Sequence, residues 1–412
     1  MVDDLDGAQG ADLGLSFGGE SAGEQETDSA SPFFVSKKAA AVLKHEILRQ
    51  YVVPFVSKVG STSPDARVVY LDGYAGPGTY ADGTHASPSL VLESAATVSQ
   101  FRKLECVFVE RSRKDFERLG TVVKAAQARG INAEARYGRV QNHLDYVLER
   151  ARGVPLLAFL DPFGLGIPFD DLVGKIFGPD RPQNSQGWIA TEVLLNFSAN
   201  AVRRIGGLLT TTKPVANRDA TLNALDLACG GTWWRQEFVA SSDNAEAVQR
   251  ISFGFARRVC AATNARAWVV AVRNRSHHQP VYHLVFFTRH SDGIWLFGEA
   301  NSLAQEKWRA FCAPPPPPKD ENALFDIPDT FEAEEAARKR RWIDEIKGNI
   351  LNLLATRGAF VIKDHHTAVL GSAIDGARKT HIKSAVKELY SERKTGCNGV
   401  GDVETLRITP PS

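Results

Sequence analysis

The 412 residues predict an α/β protein: a doubly wound, mostly parallel sheet followed by a small helical domain. Three observations predict it. Short apolar runs alternate with stretches of helical periodicity over most of the chain. A glycine-rich loop that opens on a carboxylate follows the first of these runs. An uninterrupted proline run, Pro314–Pro318, then precedes a last segment rich in helical spacing.

Residues 1–31 hold eight carboxylates, no Lys or Arg, and few large apolar groups. Such a segment buries too little surface to offset its ordering entropy and reads as a disordered acidic tail. From Lys37 to Val59, Val42, Leu43, Ile47, Leu48, Tyr51 and Val52 recur at helical spacing, with an interruption expected near Pro54. Arg67–Leu71, Cys106–Glu110, Ala133–Tyr137 and Leu156–Leu160 then alternate with helical stretches. Runs rich in Val, Leu and Phe, without polar alternation, suit strands buried on both faces of a parallel sheet. Glu192–Phe197 reads as a fifth strand, followed by Val269–Val272 and Tyr282–Thr288. Ser291-Asp292-Gly293 reads as a turn joining Tyr282–Thr288 to Ile294–Phe297 in an antiparallel hairpin. The proline run cannot continue a helix or an inner strand, so it reads as an extended spacer. The expected organisation is a sheet domain over 32–312, a linker over 313–340 and a small domain over 341–412.

Composition limits the function classes. A chain 43% hydrophobic and 24% charged builds an ordinary globular core. No apolar run approaches the roughly 20 residues of a membrane span, and no signal peptide is visible, so a cytoplasmic protein without membrane partners is expected. Cys106, Cys229, Cys260, Cys312 and Cys397 lie far apart and read as reduced thiols. Without the acidic tail the chain has 49 basic against 40 acidic residues, a mild excess that suits an anionic partner.

The sharpest local signal is Val-Val-Tyr-Leu-Asp72-Gly73-Tyr74-Ala75-Gly76-Pro77-Gly78-Thr79-Tyr80. A buried strand runs into a loop whose glycines permit positive φ and close approach of a ligand to the backbone. A carboxylate at the strand end can accept from an amino group or hold a cationic centre. The next strand ends in Glu110, the position that commonly holds a ribose diol in doubly wound folds. It lies 38 residues after Asp72, not the roughly 20 of a compact dinucleotide site. The intervening Ala86–Ser89 and Leu90–Ala96 imply an extra turn and helix. A phosphate-binding loop is the poorer alternative, because no G-x-x-x-x-G-K-[ST] is present. A second strand, Leu156–Leu160, runs into Asp161-Pro162-Phe163-Gly164. There a carboxylate and a prolyl carbonyl can accept from an exocyclic amine, and a ring can stack on a base.

Together these residues resemble class I S-adenosylmethionine-dependent methyltransferases of the amino-group type, whose fourth motif is usually [DN]-P-P-[YF]. Ala41-Val42-Leu43-Lys44-His45 and Ser87-Pro88 resemble the adenine-N6 methyltransferases of large-subunit ribosomal RNA. The span from about Phe33 to Asn301 is similar to the bacterial three-Cys-motif partner proteins, through K-H-E-I-L-R-Q-Y, Y-L-D-G-Y-A-G-P-G-T-Y, F-L-D-P-F-G and E-V-L-L-N-F-S. The resemblance implies a class I methyltransferase sheet, S-adenosylmethionine as cofactor, and a protein partner bearing three cysteines. It implies that Asp72, Gly73, Tyr74, Gly76 and Gly78 line the methionine end of the cofactor and that Glu110 holds its ribose. Lys44 matches a cofactor-proximal lysine, and Asp161, Pro162 and Phe163 receive the target amine. The chain departs from those enzymes at the fourth motif, where Phe163 replaces the second proline. The function implied is methyl transfer to an amino group of a nucleic-acid base; the alternative is a non-catalytic subunit that holds cofactor or nucleic acid and targets a three-cysteine protein resembling radical-S-adenosylmethionine proteins.

His277, His278, His283 and His290 lack carboxylates at ligand spacing and read as strand and turn residues, so no metal is expected. Trp233-Trp234 reads as a packing pair. From Trp342 to Ile408 the pattern is helix, turn, helix, turn, helix, hairpin, as in a winged-helix domain. Ile382, Ala385, Val386, Leu389 and Tyr390 are expected to face inward on the third helix, and Lys379, Lys383 and Lys387 outward. Gly396, Gly399 and Gly401 are read as the wing. Those lysines suit phosphate contacts with DNA or RNA; a solvated face or a protein contact is the alternative.

Overall fold

The computed structural model describes residues 32–80, 82–162, 164–178, 181, 183–184, 187–314 and 330–411. The expected acidic tail lies outside them, as do Phe163 and the last four residues of the proline run.

Seven strands form one sheet: β1 (Arg67–Asp72), β2 (Lys103–Glu110), β3 (Ala133–Tyr137), β4 (Leu156–Leu160), β5 (Thr191–Phe197), β6 (Arg266–Val272) and β7 (Tyr282–Thr288). Their order is β3-β2-β1-β4-β5-β7-β6. The first five in that order are mutually parallel, and β7 runs antiparallel to both β5 and β6. This is the doubly wound, mostly parallel sheet of the class I methyltransferase type. The strand order reverses between β1 and β4, so the carboxyl ends of β1, β2 and β4 border one crevice, where such sheets bind ligands.

Both faces of the sheet are covered, which explains the lack of polar alternation. Along β1, Val68 and Tyr70 enter one core and Val69 and Leu71 the other. The first core is closed by α1 (Pro32–Val59), α2 (Ser87–Val98), α3 (Arg113–Gln127) and α9 (Ser291–Cys312). The second is closed by α4 (Leu144–Arg150), α5 (Ala199–Thr210), α6 (Arg218–Cys229), α7 (Trp233–Ala240) and α8 (Asn244–Thr263).

Two sequence expectations are corrected here. Pro54 does not interrupt the first helix but sits inside α1. Tyr51, Val52, Phe55 and Val56 on either side of it are buried, and their burial offsets a proline cost of about 3 kcal/mol. Ile294–Phe297 is not a strand but part of α9, and β7 pairs with β5 and β6 instead. Asp292 N–H donates to the His290 ring (3.1 Å), capping a helix rather than closing a turn. Phe297, Ala300, Ala304 and Trp308 supply a buried helical stripe that a four-residue window conceals.

The C-terminal elements are α10 (Thr330–Arg357), β8 (Phe360–Val361), α11 (His366–Leu370), α12 (Lys379–Ser391) and β9 (Arg407–Ile408). Helix α10 starts eleven residues before the expected domain start at 341, so the linker is shorter than its composition suggested. The segment expected as the glycine wing, 396–402, is loop tied back by the Gly396 N–H to the Thr409 carbonyl (3.0 Å), and β9 pairs antiparallel with β8. Nor does the module stand apart. Trp295 of α9 enters its core. Trp268 Nε1 donates to Asp375 (2.9 Å), Arg309 donates to both oxygens of Glu335 (2.8 Å to Oε2), and Arg378 pairs with Glu306 (3.0 Å). No helix among the described residues is long and apolar enough to cross a membrane, and the five cysteines are free.

Candidate active site

Asp72 is the last residue of β1 and is fully buried. Its Oδ1 accepts from the Tyr74 N–H (3.2 Å), while Oδ2 is buried without a partner. Burial raises its pKa to about 7, against the opposing influence of the nearby Ser87 hydroxyl and the Tyr74 N–H. The loop then turns through Gly76 (φ 64°) and Gly78 (φ 86°), conformations that other residues adopt only with strain. A Cβ at Gly78 would meet Val122 at 3.0 Å, whereas at Gly76 nothing lies within 4 Å. Gly76 therefore presents bare backbone to open space. Gly73 N–H donates to the Phe159 carbonyl (2.9 Å), tying the loop to β4. Tyr74 is partly buried against the second core, and burial pushes its phenol up.

Glu110 ends β2 and is likewise buried. It accepts from Gly76 N–H (2.8 Å) and Ser112 N–H (2.6 Å), so it clamps the glycine loop to the neighbouring strand. A carboxylate has about four lone-pair sites, so acceptor capacity remains for a ligand hydroxyl.

Asp161 follows β4 and is the hub of the opposite wall. Lys44 of α1 forms an ion pair with its Oδ2, and Asn196 of β5 donates to Oδ1 (2.8 Å). Both members of the ion pair are mostly buried, Lys44 13% and Asp161 15% exposed at the side chain. Burial opposes the Lys44 charge, yet the Asp161 carboxylate outweighs it and holds the ammonium above its usual range. The neighbouring His45 is pushed down to about 3 by burial and by Lys44, so it is neutral. Pro162 is buried beside Asp161. Phe163 lies outside the described residues.

Sequence reasoning missed Asn196, His45, Tyr80 and Tyr282. Tyr282 starts β7 at this same edge, and its hydroxyl donates to the Ala40 carbonyl (2.9 Å). Tyr80 sits against His45 with ring centroids 5.8 Å apart. Asn196 carried a readable signal: it is the one amide in a strand buried along its whole length, and its Oδ1 is buried without a partner. With Asp72 Oδ2 and the Tyr70 hydroxyl, three buried polar atoms without partners lie around this crevice. Buried polar groups are normally paired, so such a cluster marks a place for a ligand.

The C-terminal lysines do not form one free face. Lys379 Nζ donates to Glu404 (2.5 Å), Lys383 Nζ lies 3.3 Å from the Gly401 carbonyl, and Lys387 alone of the three is exposed. Tyr390, expected inward, is 49% exposed. His283 is buried against Ser252 Oγ (3.0 Å), and no group of His, Cys, Asp and Glu among the described residues can hold a metal. Trp234 is wholly buried; Trp233 packs partly buried beneath Arg258 (3.7 Å to the ring centre).

No protein-family model and no curated protein matches the chain, so membership of the three-Cys-motif partner family stays an expectation. Among solved structures, the chain is similar to the methyltransferase domain of bacterial CtHen1-C, at 12% identity and TM-score 0.29 over 58% of this chain and 97% of that one. It is similar also to geranyl diphosphate methyltransferase in complex with GPP and sinefungin, at 12% identity and TM-score 0.24 over 66% and 86%. A third is coclaurine N-methyltransferase bound to N-methylheliamine and SAH, at 12% identity and TM-score 0.25 over 64% and 74%. The fold assignment rests on strand order and direction, not on these superpositions.

Proposed function

We propose that the protein is an S-adenosylmethionine-dependent methyltransferase acting on an amino group of a nucleic-acid base. The observation that carries the reading is the convergence of Asp72, Glu110 and Asp161 on the carboxyl edge of a sheet of this strand order. The cofactor fits what the residues leave open. The unpartnered Asp72 Oδ2 suits its α-amino group, the bare backbone at Gly76 admits close approach, and Glu110 retains acceptor sites for ribose hydroxyls. When bound, the cofactor supplies an electrophilic methyl group. Methyl transfer from a sulfonium needs alignment more than proton transfer, so the contribution of the chain is positioning. Asp161, held by Lys44 and Asn196, and the free Asn196 Oδ1 orient an amine by accepting its N–H groups. Tyr80 offers a ring at the mouth of the crevice.

A second reading has its own support: both Asp161 oxygens already accept hydrogen bonds. On that reading the chain holds cofactor or nucleic acid without transferring a methyl group and serves a three-cysteine protein as a targeting subunit. Incubation with methyl-labelled cofactor and total RNA or DNA separates the two. Label in nucleic acid, lost in Asp161→Ala, supports the enzyme; label retained only in the cofactor, with or without the partner, supports the subunit.

A further inference from the structure

The chain has two long acid-free stretches. Between Glu192 and Asp219, and again between Glu246 and Asp292, there is no Asp or Glu. These stretches supply β5 after Glu192, α5, most of α8, β6 and β7, so those elements add no carboxylate of their own. Topology brings part of its positive charge to the candidate site. The loop 273–281 joins β6 to β7 at the edge where Tyr282 stands, and it carries Arg273, Arg275, His277 and His278. The start of α5 meets this loop: Asn200 N–H donates to the Val281 carbonyl (3.3 Å), and Arg203 donates to the Pro280 carbonyl (2.8 Å).

Several arginines elsewhere are neutralised: Arg235 pairs with Asp226, Arg250 with Glu237, and Arg340 with Asp344. Among the described residues, Arg203, Arg273 and Arg275 have no carboxylate partner. His283 reports the resulting field: burial, then Arg273 and Arg203, lowers its pKa to about 4. Unpaired cations beside a crevice raise the local concentration of an anionic substrate. Tyr80, 42% exposed and near enough to Asp161 to feel its charge, adds an aromatic surface. A basic rim with an exposed ring is how single strands are held, by phosphate contacts and base stacking.

We propose that the loop 273–281, with the start of α5, binds the phosphate backbone of a single-stranded nucleic acid and feeds its base to the Asp161 edge. The acceptor base rests on the function proposed above; the binding surface itself does not. A base amino group reaches a crevice at a sheet edge only when it is out of a duplex, which favours a single strand. The lysines of α12 are not the principal contact, because Lys379 and Lys383 are engaged within the protein.

The test is fluorescence anisotropy on the full chain with one mixed-sequence oligonucleotide, prepared as single-stranded RNA, single-stranded DNA and duplex. Single strands should bind more tightly than duplex. Affinity should fall with salt by about 0.7 log units per contact. Arg273→Gln/Arg275→Gln should flatten that slope by about one to one and a half units, and Arg273→Lys/Arg275→Lys should restore it. An unchanged melting temperature excludes misfolding as the cause. The proposal is overturned if the wild type shows no salt-dependent binding, or if Lys379→Gln/Lys383→Gln/Lys387→Gln flattens the slope instead. It is also overturned if phosphatidylserine vesicles bind as tightly and depend on the same arginines. Calorimetry with cofactor on the same protein separates the claims. Cofactor binding without nucleic-acid binding removes only this inference; nucleic-acid binding without cofactor binding removes the methyltransferase reading.

Discussion

Lys44→Met isolates the Asp161 carboxylate in a largely dry site. Lys44 and Asp161 are 13% and 15% exposed at the side chain, and Asn196 is the donor that remains after the substitution. Breaking a buried ion pair by removing one partner costs about 3–5 kcal/mol, because the other charge is left uncompensated. The Asn196 amide still satisfies one oxygen, which puts the expected loss near the lower end, about 3 kcal/mol. At about 2 °C per kcal/mol for a domain of this size, Tm should fall by roughly 6 °C. Asp161→Asn should cost at least as much, since it leaves an ammonium without an anion. The double variant leaves no buried charge, so it should be more stable than the two single losses added together, by about 2 kcal/mol. Urea unfolding followed by tryptophan fluorescence measures all four proteins. A Lys44→Met loss under about 0.5 kcal/mol, or strict additivity in the cycle, would refute the pairing as the hub of the site.

Three further outcomes follow from the same geometry. Asp72 has a folded pKa of about 7 against an ordinary 3.8, so its burial penalty is absent below pH 3.8, grows as pH rises and is complete above about 7. Asp72→Asn should therefore stabilise the free protein at pH 8 but not at pH 4 in thermal unfolding, while cofactor affinity, tenfold weaker per unit below about pH 7 in the wild type, loses that dependence. Gly78→Ala meets both positive φ and Val122, and should cost more stability than Gly76→Ala, which meets open space and costs about 1–2 kcal/mol; equal losses would contradict the loop geometry. Lys379→Gln breaks the pair with Glu404 and should lower the melting temperature, whereas Lys387→Gln should leave it unchanged.

The central sheet was legible because β1, β2, β4, β5 and β7 are buried on both faces, whereas the edge strands β3 and β6 are partly exposed. Ala133–Tyr137, Leu156–Leu160 and Tyr282–Thr288 have the expected limits, and the others differ by a few residues at their ends. What failed was local inference about single residues. Pro54 was read by its intrinsic cost, but burial on both sides of it decides. Ser291-Asp292-Gly293 has turn composition, yet the same residues serve as the first turn of a helix whose apolar stripe begins beyond them.

At the site, Asp72, Glu110 and Asp161 were legible as acidic groups at the ends of apolar runs. Their partners were not, because Lys44 stands 117 positions before Asp161, and Asn196 comes from a strand whose place beside β4 only the topology sets. The lysines of α12 show the converse. Their four-residue spacing does place them along one helix, but Glu404 and the 399–401 backbone come back over that face.

The most direct test of the account is calorimetric titration of the full chain, wild type and Asp72→Ala, with S-adenosylmethionine and its demethylated product. The account predicts saturable binding at one site, weakened at least about tenfold, or about 1.4 kcal/mol, by Asp72→Ala in a protein whose fold is intact by circular dichroism. No heat from the folded wild type at millimolar ligand, or equal affinity in the two proteins, would contradict it.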